Sequence, residues 1–281
     1  MSLLDRLSNG WNMSMQSLRI LNSNKKLIIF PILSGASLIL LITSFLVGTV
    51  FASSWLSELF DENNNILAYL LVFGFYLVNY FIVIFFNVAL MYCVGKYFKG
   101  EEVDISEGLN FSFSRIGIIF SWAVMAATVG TILKMIQEEF GIVGKIITGI
   151  IGIVWNIATF FVVPVLVNEN LGPVDAIKRS ANIMKEKWGE SLAGNFSLGL
   201  VQFVALLLTC VPLFFLGSLI NTVVGVVLAL EAGLLVIAVI SAAQSIFICG
   251  VYHRTQGVEI PMINDDKVDM LFGQKENKKF W

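Results

Sequence analysis

Long apolar runs alternate with short polar stretches along this chain, and their lengths predict about six membrane-crossing helices. A spanning helix needs about 20 apolar residues at a rise of about 1.5 Å each. Runs of that kind occupy Leu27 to Phe51, Ile66 to Val94, Ile116 to Leu133, Ile146 to Val167 and Leu192 to Leu216. A sixth ends near Tyr252, and its start is open, because Asn221 to Leu230 reads as an extra apolar segment, outside the bilayer or re-entrant. Pro212 predicts a kink or an end late in the fifth run, and Pro31 and Pro164 predict local kinks. The first run follows Lys25 and Lys26 and is longer than a signal-peptide core, so it reads as a retained span.

A second pattern, at three- and four-residue steps, precedes each odd-numbered span. Leu4, Leu7, Trp11, Met15, Leu18 and Leu21 form the first stripe. Ile105, Leu109 and Phe113 form the second, opened by Asp104 and Glu107 in capping-box spacing. Val174, Ile177, Ala181, Met184 and Trp188 form the third, with Gly172 as N-cap, Pro173 at the first helical position and Asp175 in the first turn. A short segment from Asp266 to Phe272 extends this layer. The three units, each an amphipathic helix followed by two spans, suggest a parallel pseudo-threefold repeat. Such helices either lie at the membrane interface or pack on the bundle.

Charge then orients the chain. Of its 18 lysines and arginines, all but Lys134 and Lys145 fall on one side of a six-span topology. That asymmetry places both termini in the cytoplasm and the protein in the cell (plasma or inner) membrane. The expected organisation is a cytoplasmic amphipathic segment over residues 1–26, a six-helix transmembrane domain over 27–252 and a cytoplasmic tail over 253–281. The fold class is all-α and polytopic.

Composition agrees with lipid as the solvent. Of the 281 residues, 57% are hydrophobic and 14% charged, against about 25% charged in a soluble domain. A net charge of −2 carries no nucleic-acid footprint. Three cysteines in apolar runs read as small buried hydrophobes, and a single histidine, His253, excludes a multi-histidine metal centre. His253 beside Arg254 reads as a membrane-edge position. No phosphate loop, nucleophile elbow or calcium loop is present, so no catalytic residue and no cofactor is expected.

Polar groups inside spans are costly and each suggests a role. Asn87 and Asn156 are candidates for a polar path, although interhelical hydrogen bonding is the more common role of such amides, as of Gln202 and Gln244, and no span carries a row of them. Glu231 lies about 33 Å of helix from Tyr252, which places it at the outer interface, with Lys145 as a possible partner. Glycines at 141, 144, 149 and 152, and at 217, 225 and 233, suggest close helix packing. Trp11, Lys178, Arg179, Lys185, Lys187 and Trp188 are the candidates for lipid or partner contact. Trp55, Phe60 and Tyr97 read as interface anchors, with the acids Glu58, Asp61 and Glu62 on the outer side.

Several segments resemble a group of uncharacterised prokaryotic six-helix membrane proteins. They are Trp11…Ser17-Leu18…Lys25 to Pro31; Ser106 to Leu109; Val163 to Asn170 followed by Gly172 to Ser180; and Tyr252-His253-Arg254…Gly257. The group, a domain of unknown function, is similar to the membrane domain fused to some glycerophosphodiester phosphodiesterases. The resemblance implies six helices with cytoplasmic amphipathic segments and no activity, since the phosphodiesterase catalytic domain has no counterpart here. The expected function is binding: a scaffold, an accessory subunit or a lipid-organising protein, with membrane lipids and a cytoplasmic protein as partners. A transporter or channel for a small solute or ion is the alternative.

Overall fold

In the computed structural model the described residues are Trp11, 15–51 and 66–257, with side chains at 49–51, 67 and 186–193 excluded. The expectations for Leu4, Leu7, Trp55, Glu58, Phe60, Asp61, Glu62 and the Asp266 to Phe272 segment lie outside the described residues. All elements among the described residues are helical. Helix α1 covers residues 15–23 and a 3-10 turn follows at Lys25–Ile28. Then come α2 (Ile29–Phe51), α3 (Ile66–Phe98), α4 (Ile105–Ser114), α5 (Ile116–Thr159), α6 (Val162–Asn168), α7 (Pro173–Ser218) and α8 (Thr222–Thr255). Five stretches are long and apolar enough to cross a membrane: Lys25–Gly48, Ala68–Phe98, Ile116–Asn168, Gly194–Ser218 and Thr222–Thr255.

The third of these is two helices, not one. At Gly141 the backbone takes φ 53° and ψ −122°, and the chain doubles back. Residues 122 and 155 would stand about 50 Å apart in a straight helix. Instead the Trp122 and Trp155 rings stack with centroids 6.0 Å apart. Gln137 Nε2 donates to Thr148 Oγ1 at 2.8 Å, and Thr148 Oγ1 donates to the Gly144 carbonyl at 2.8 Å. The two runs predicted at 116–133 and 146–167 are thus the arms of one antiparallel hairpin. Gly144 lets the arms meet, because a Cβ there would overlap the Ile136 carbonyl. Gly149 and Gly152, by contrast, face open space.

The last apolar helix, whose start the pattern left open, begins at Thr222. Asn221, with extended backbone, accepts from Val223 N–H at 2.9 Å and caps α8, which then runs unbroken from Thr222. The residues from Thr222 to Leu230 belong to this helix and form no separate segment. The turn before it is tight: a Cβ on Gly217 would lie 2.6 Å from Gly225 Cα. Pro212 neither ends nor divides α7, which continues to Ser218. Pro164 does break a helix. It has no N–H for the Phe160 carbonyl and its ring crowds that group, and α5 stops at Thr159 before α6 resumes at Val162.

Contacts divide the chain into two compact units: Met1–Ile28, Val94–Val103 and Lys185–Trp281 in one, Ile29–Cys93 and Asp104–Met184 in the other. In the second, α4 packs on α3 through small residues. Gly108 sits where a Cβ would be 2.6 Å from Cys93 Sγ and 3.0 Å from the Ala89 carbonyl. Ser112 Oγ donates to the Phe85 carbonyl at 2.9 Å. Asp104 caps the helix by accepting from Ser106 N–H at 2.8 Å.

This packing fixes which residues of α4 and α7 are buried. In α4 the buried positions are Gly108 and Ser112, whereas Phe113, on the apolar stripe, is 59% exposed. In α7 they are Ala176, Ser180, Ile183 and Met184; of the apolar stripe, Met184 is buried and Val174 is exposed. Helices that approach closely need small side chains at the contact, which is why Gly108, Ser112, Ala176 and Ser180 are buried there. The same spacing of a buried serine, isoleucine and long apolar residue occurs in α1 as Ser17, Ile20 and Leu21.

Candidate functional site

The polar residues of the second unit gather where the α5–α6 hairpin enters and leaves. Phe161 N–H, freed by the break before Pro164, donates to Ser180 Oγ at 2.9 Å. That bond fixes α7 against the end of the hairpin. Helix α6 ends at Asn168, whose side chain donates back to the Pro164 carbonyl at 2.8 Å. Glu169 is extended, at φ −117° and ψ 130°, and turns the chain toward α7.

Two arginines meet this corner. Arg179 Nε donates to both oxygens of Glu169, at 2.9 and 3.2 Å. Arg115, the residue just before α5, donates from Nη1 to Asn170 Oδ1 at 2.6 Å. Its guanidinium also lies over the Phe111 ring, 5.5 Å from the centroid. The Arg115–Asn170 bond joins the two ends of the hairpin, so entry and exit lie at one edge. Nearby, Lys178 pairs with Asp175 at 3.2 Å in an exposed i,i+3 contact.

The Arg179–Glu169 pair is partly exposed, with side chains at 38% and 26%, so solvent screens much of its Coulomb energy. Replacing Arg179 with alanine is expected to lower stability by about 1 kcal/mol. Glu169→Gln should cost a similar amount, and the double variant less than the sum. Thermal unfolding of the purified variants measures this cycle.

The other residues singled out by pattern lie apart from this corner. Asn87 is half-buried on α3; Asn156 and Lys145 are exposed on the second arm of the hairpin. Glu231 is exposed on α8. Trp11 is exposed, as are Lys178 and Lys185, while Arg179 is half-buried by its contact with Glu169. Lys187 and Trp188 fall within α7, and their side chains lie outside the described residues. Gln244 Nε2 donates to Asn195 Oδ1, the interhelical bond expected of an amide in a span.

In the first unit the His253 side chain is buried. Its Nδ1 is 2.9 Å from the Cys249 carbonyl, and its ring meets Phe98 edge-on at 6.0 Å. Gly95 lies against that ring, and a Cβ there would meet Nε2 at an ordinary contact distance of 3.8 Å. Cys93 and Cys249 are buried thiols and Cys210 a half-buried one, outside any disulfide among the described residues.

A family of unknown function, DUF6159, matches residues 66–259, more than half of the chain. This chain belongs to DUF6159. The DUF6159 region begins at α3 and takes in the hairpin, the arginine corner and the His253 cluster. No curated protein and no solved structure matches the chain. Pattern reading missed Arg115, Asn170 and the pairing role of Glu169. Their signal was present as an arginine directly before an apolar run and an Asn-Glu-Asn cluster directly after its partner run.

Proposed function

We propose that this DUF6159 protein is a six-span protein of the cell inner membrane with both termini cytoplasmic. In this reading it acts by binding, as a scaffold, accessory subunit or lipid-organising protein, and not as an enzyme. The six crossings follow from five apolar stretches of which one doubles back at Gly141. Apolar side chains around that hairpin, such as Ile142, Ile146, Ile150 and Ile153, are more than half exposed, which suits lipid and not water.

The observation that carries the reading is the arrangement of α7. One face, Ala176, Ser180, Ile183 and Met184, is buried, while Lys178 and Lys185 are exposed beside the spans. A helix docked in this way presents a basic face to headgroups or to an acidic partner. Reversing Lys178, Lys185 and Lys187 to glutamate is therefore expected to reduce co-purifying anionic phospholipid or partner protein several-fold. Arg179 is left intact, because it holds Glu169. Mass spectrometry of material drawn from native membranes reads the change, and an unaltered set of lipids and proteins would remove the main support. A solute path through Asn87, Asn156 and Glu231 has less behind it, since the last two side chains are exposed.

A further inference from the structure

Three cations of the second unit stand at the hairpin corner, and two of them are neutralised within the chain. Arg179 faces Glu169 and Lys178 faces Asp175. Among the described residues, Arg115 has no carboxylate partner. It meets a neutral amide, Asn170, and the face of Phe111. A guanidinium carries five N–H donors, and Asn170 accepts from only one nitrogen. The corner therefore holds an uncompensated positive charge with donors to spare.

Its surroundings say what kind of anion would complete it. Arg115 lies between α4 and the first arm of the hairpin, at the level where the apolar stretch Ile116–Asn168 both starts and ends. Phe113 on one side and Ile116 on the other are 59% and 45% exposed. A soluble anion gains nothing from exposed apolar neighbours, whereas a phospholipid sets its phosphate beside the cation and its glycerol and acyl chains along them. We infer that Arg115, oriented by Asn170 and Phe111, binds the headgroup phosphate of an anionic phospholipid at the edge of the hairpin. The inference rests on the lipid-binding reading above and names one residue that carries it, separate from the lysines of α7.

The test uses full-length protein in mild detergent, titrated with phosphatidylglycerol and followed by native mass spectrometry. Phosphatidylcholine and inorganic phosphate serve as comparison ligands. Arg115→Gln keeps a donor for Asn170 and removes the charge. It is expected to weaken phosphatidylglycerol binding roughly tenfold, the equivalent of one lost charge-assisted contact. Asn170→Asp leaves Arg115 in place but supplies the missing carboxylate, and should weaken binding similarly. It decides the matter if Arg115→Gln lowers the unfolding temperature.

Unchanged phosphatidylglycerol affinity in Asn170→Asp, or in a stable Arg115→Gln, would overturn the site. If the lysine reversal still lowered lipid retention in that case, the broader lipid-binding reading would stand without it; if not, both would fall. Inorganic phosphate displacing the lipid at comparable concentration would also overturn the assignment, in favour of a soluble-anion site.

Discussion

Valine at position 144 is expected to prevent the α5 hairpin from closing. A Cβ on Gly144 would overlap the carbonyl oxygen of Ile136 and lie 3.1 Å from Gln137 Cα. Both obstacles are backbone, so no side-chain rotation relieves them. Overpacking of this kind costs about 1–3 kcal/mol, and a backbone clash belongs at the upper end. The arms would part, breaking the Gln137–Thr148 bond and the Trp122–Trp155 stack.

A second variant in the same turn isolates the conformational cause. Gly141 combines φ 53° with ψ −122°, the first central position of a type II′ turn. That ψ lies outside the left-handed helical region, where asparagine is tolerated. Gly141→Asn should therefore destabilise nearly as much as Gly141→Ala, by about 1–3 kcal/mol. Nothing lies within 4 Å of a Cβ there, so the effect is strain and not crowding. Thermal unfolding in detergent, read with the tryptophan fluorescence of the stacked pair, distinguishes the outcomes. Unfolding temperatures of Gly144→Val and Gly141→Asn close to that of the parent would refute the hairpin.

The second large effect is expected at Gly108, where α4 docks on α3. A Cβ there meets Cys93 Sγ, the Ala89 carbonyl and Phe30 Cζ, all within 3.0 Å. Cys93 and Phe30 are themselves buried. Gly108→Ala should cost about 2–3 kcal/mol, more than most single methyl additions, because one of the three contacts cannot move. Cys93→Ala in the same chain should restore only part of the loss, since the Ala89 carbonyl remains. Full restoration would mean that the sulfur alone sets the fit.

Gly194 provides the contrast. Its Cβ would run into the ring of Phe247, a side chain that can be shortened. Gly194→Ala should accordingly be rescued in large part by Phe247→Leu. The two glycines look alike in the sequence and differ only in whether the neighbour is backbone or side chain.

Much of the architecture was legible in the apolar pattern. Runs of about 20 apolar residues have no stable state but the helix when backbone groups are cut off from water. The Asp104 cap and the Pro173 start were also local, because capping depends on residues within one turn. The break before Pro164 follows from one missing N–H. Even the hairpin was implied by two separate runs with Gly141 between them.

Which side of each helix faces inward was decided by the tertiary structure. An apolar stripe marks the interior only where water surrounds the helix. Here Phe113 and Val174 face outward, and the contacts go to residues small enough for backbones to approach. Polar partnerships were likewise set by the fold. Arg115 and Asn170 are distant in sequence and meet only because the chain turns back at Gly141. Local sequence therefore determined that this chain is a set of long apolar helices. The close approach of those helices determined that Gly108, Ser112 and Ser180 are buried and that Arg115 is left with charge to spare.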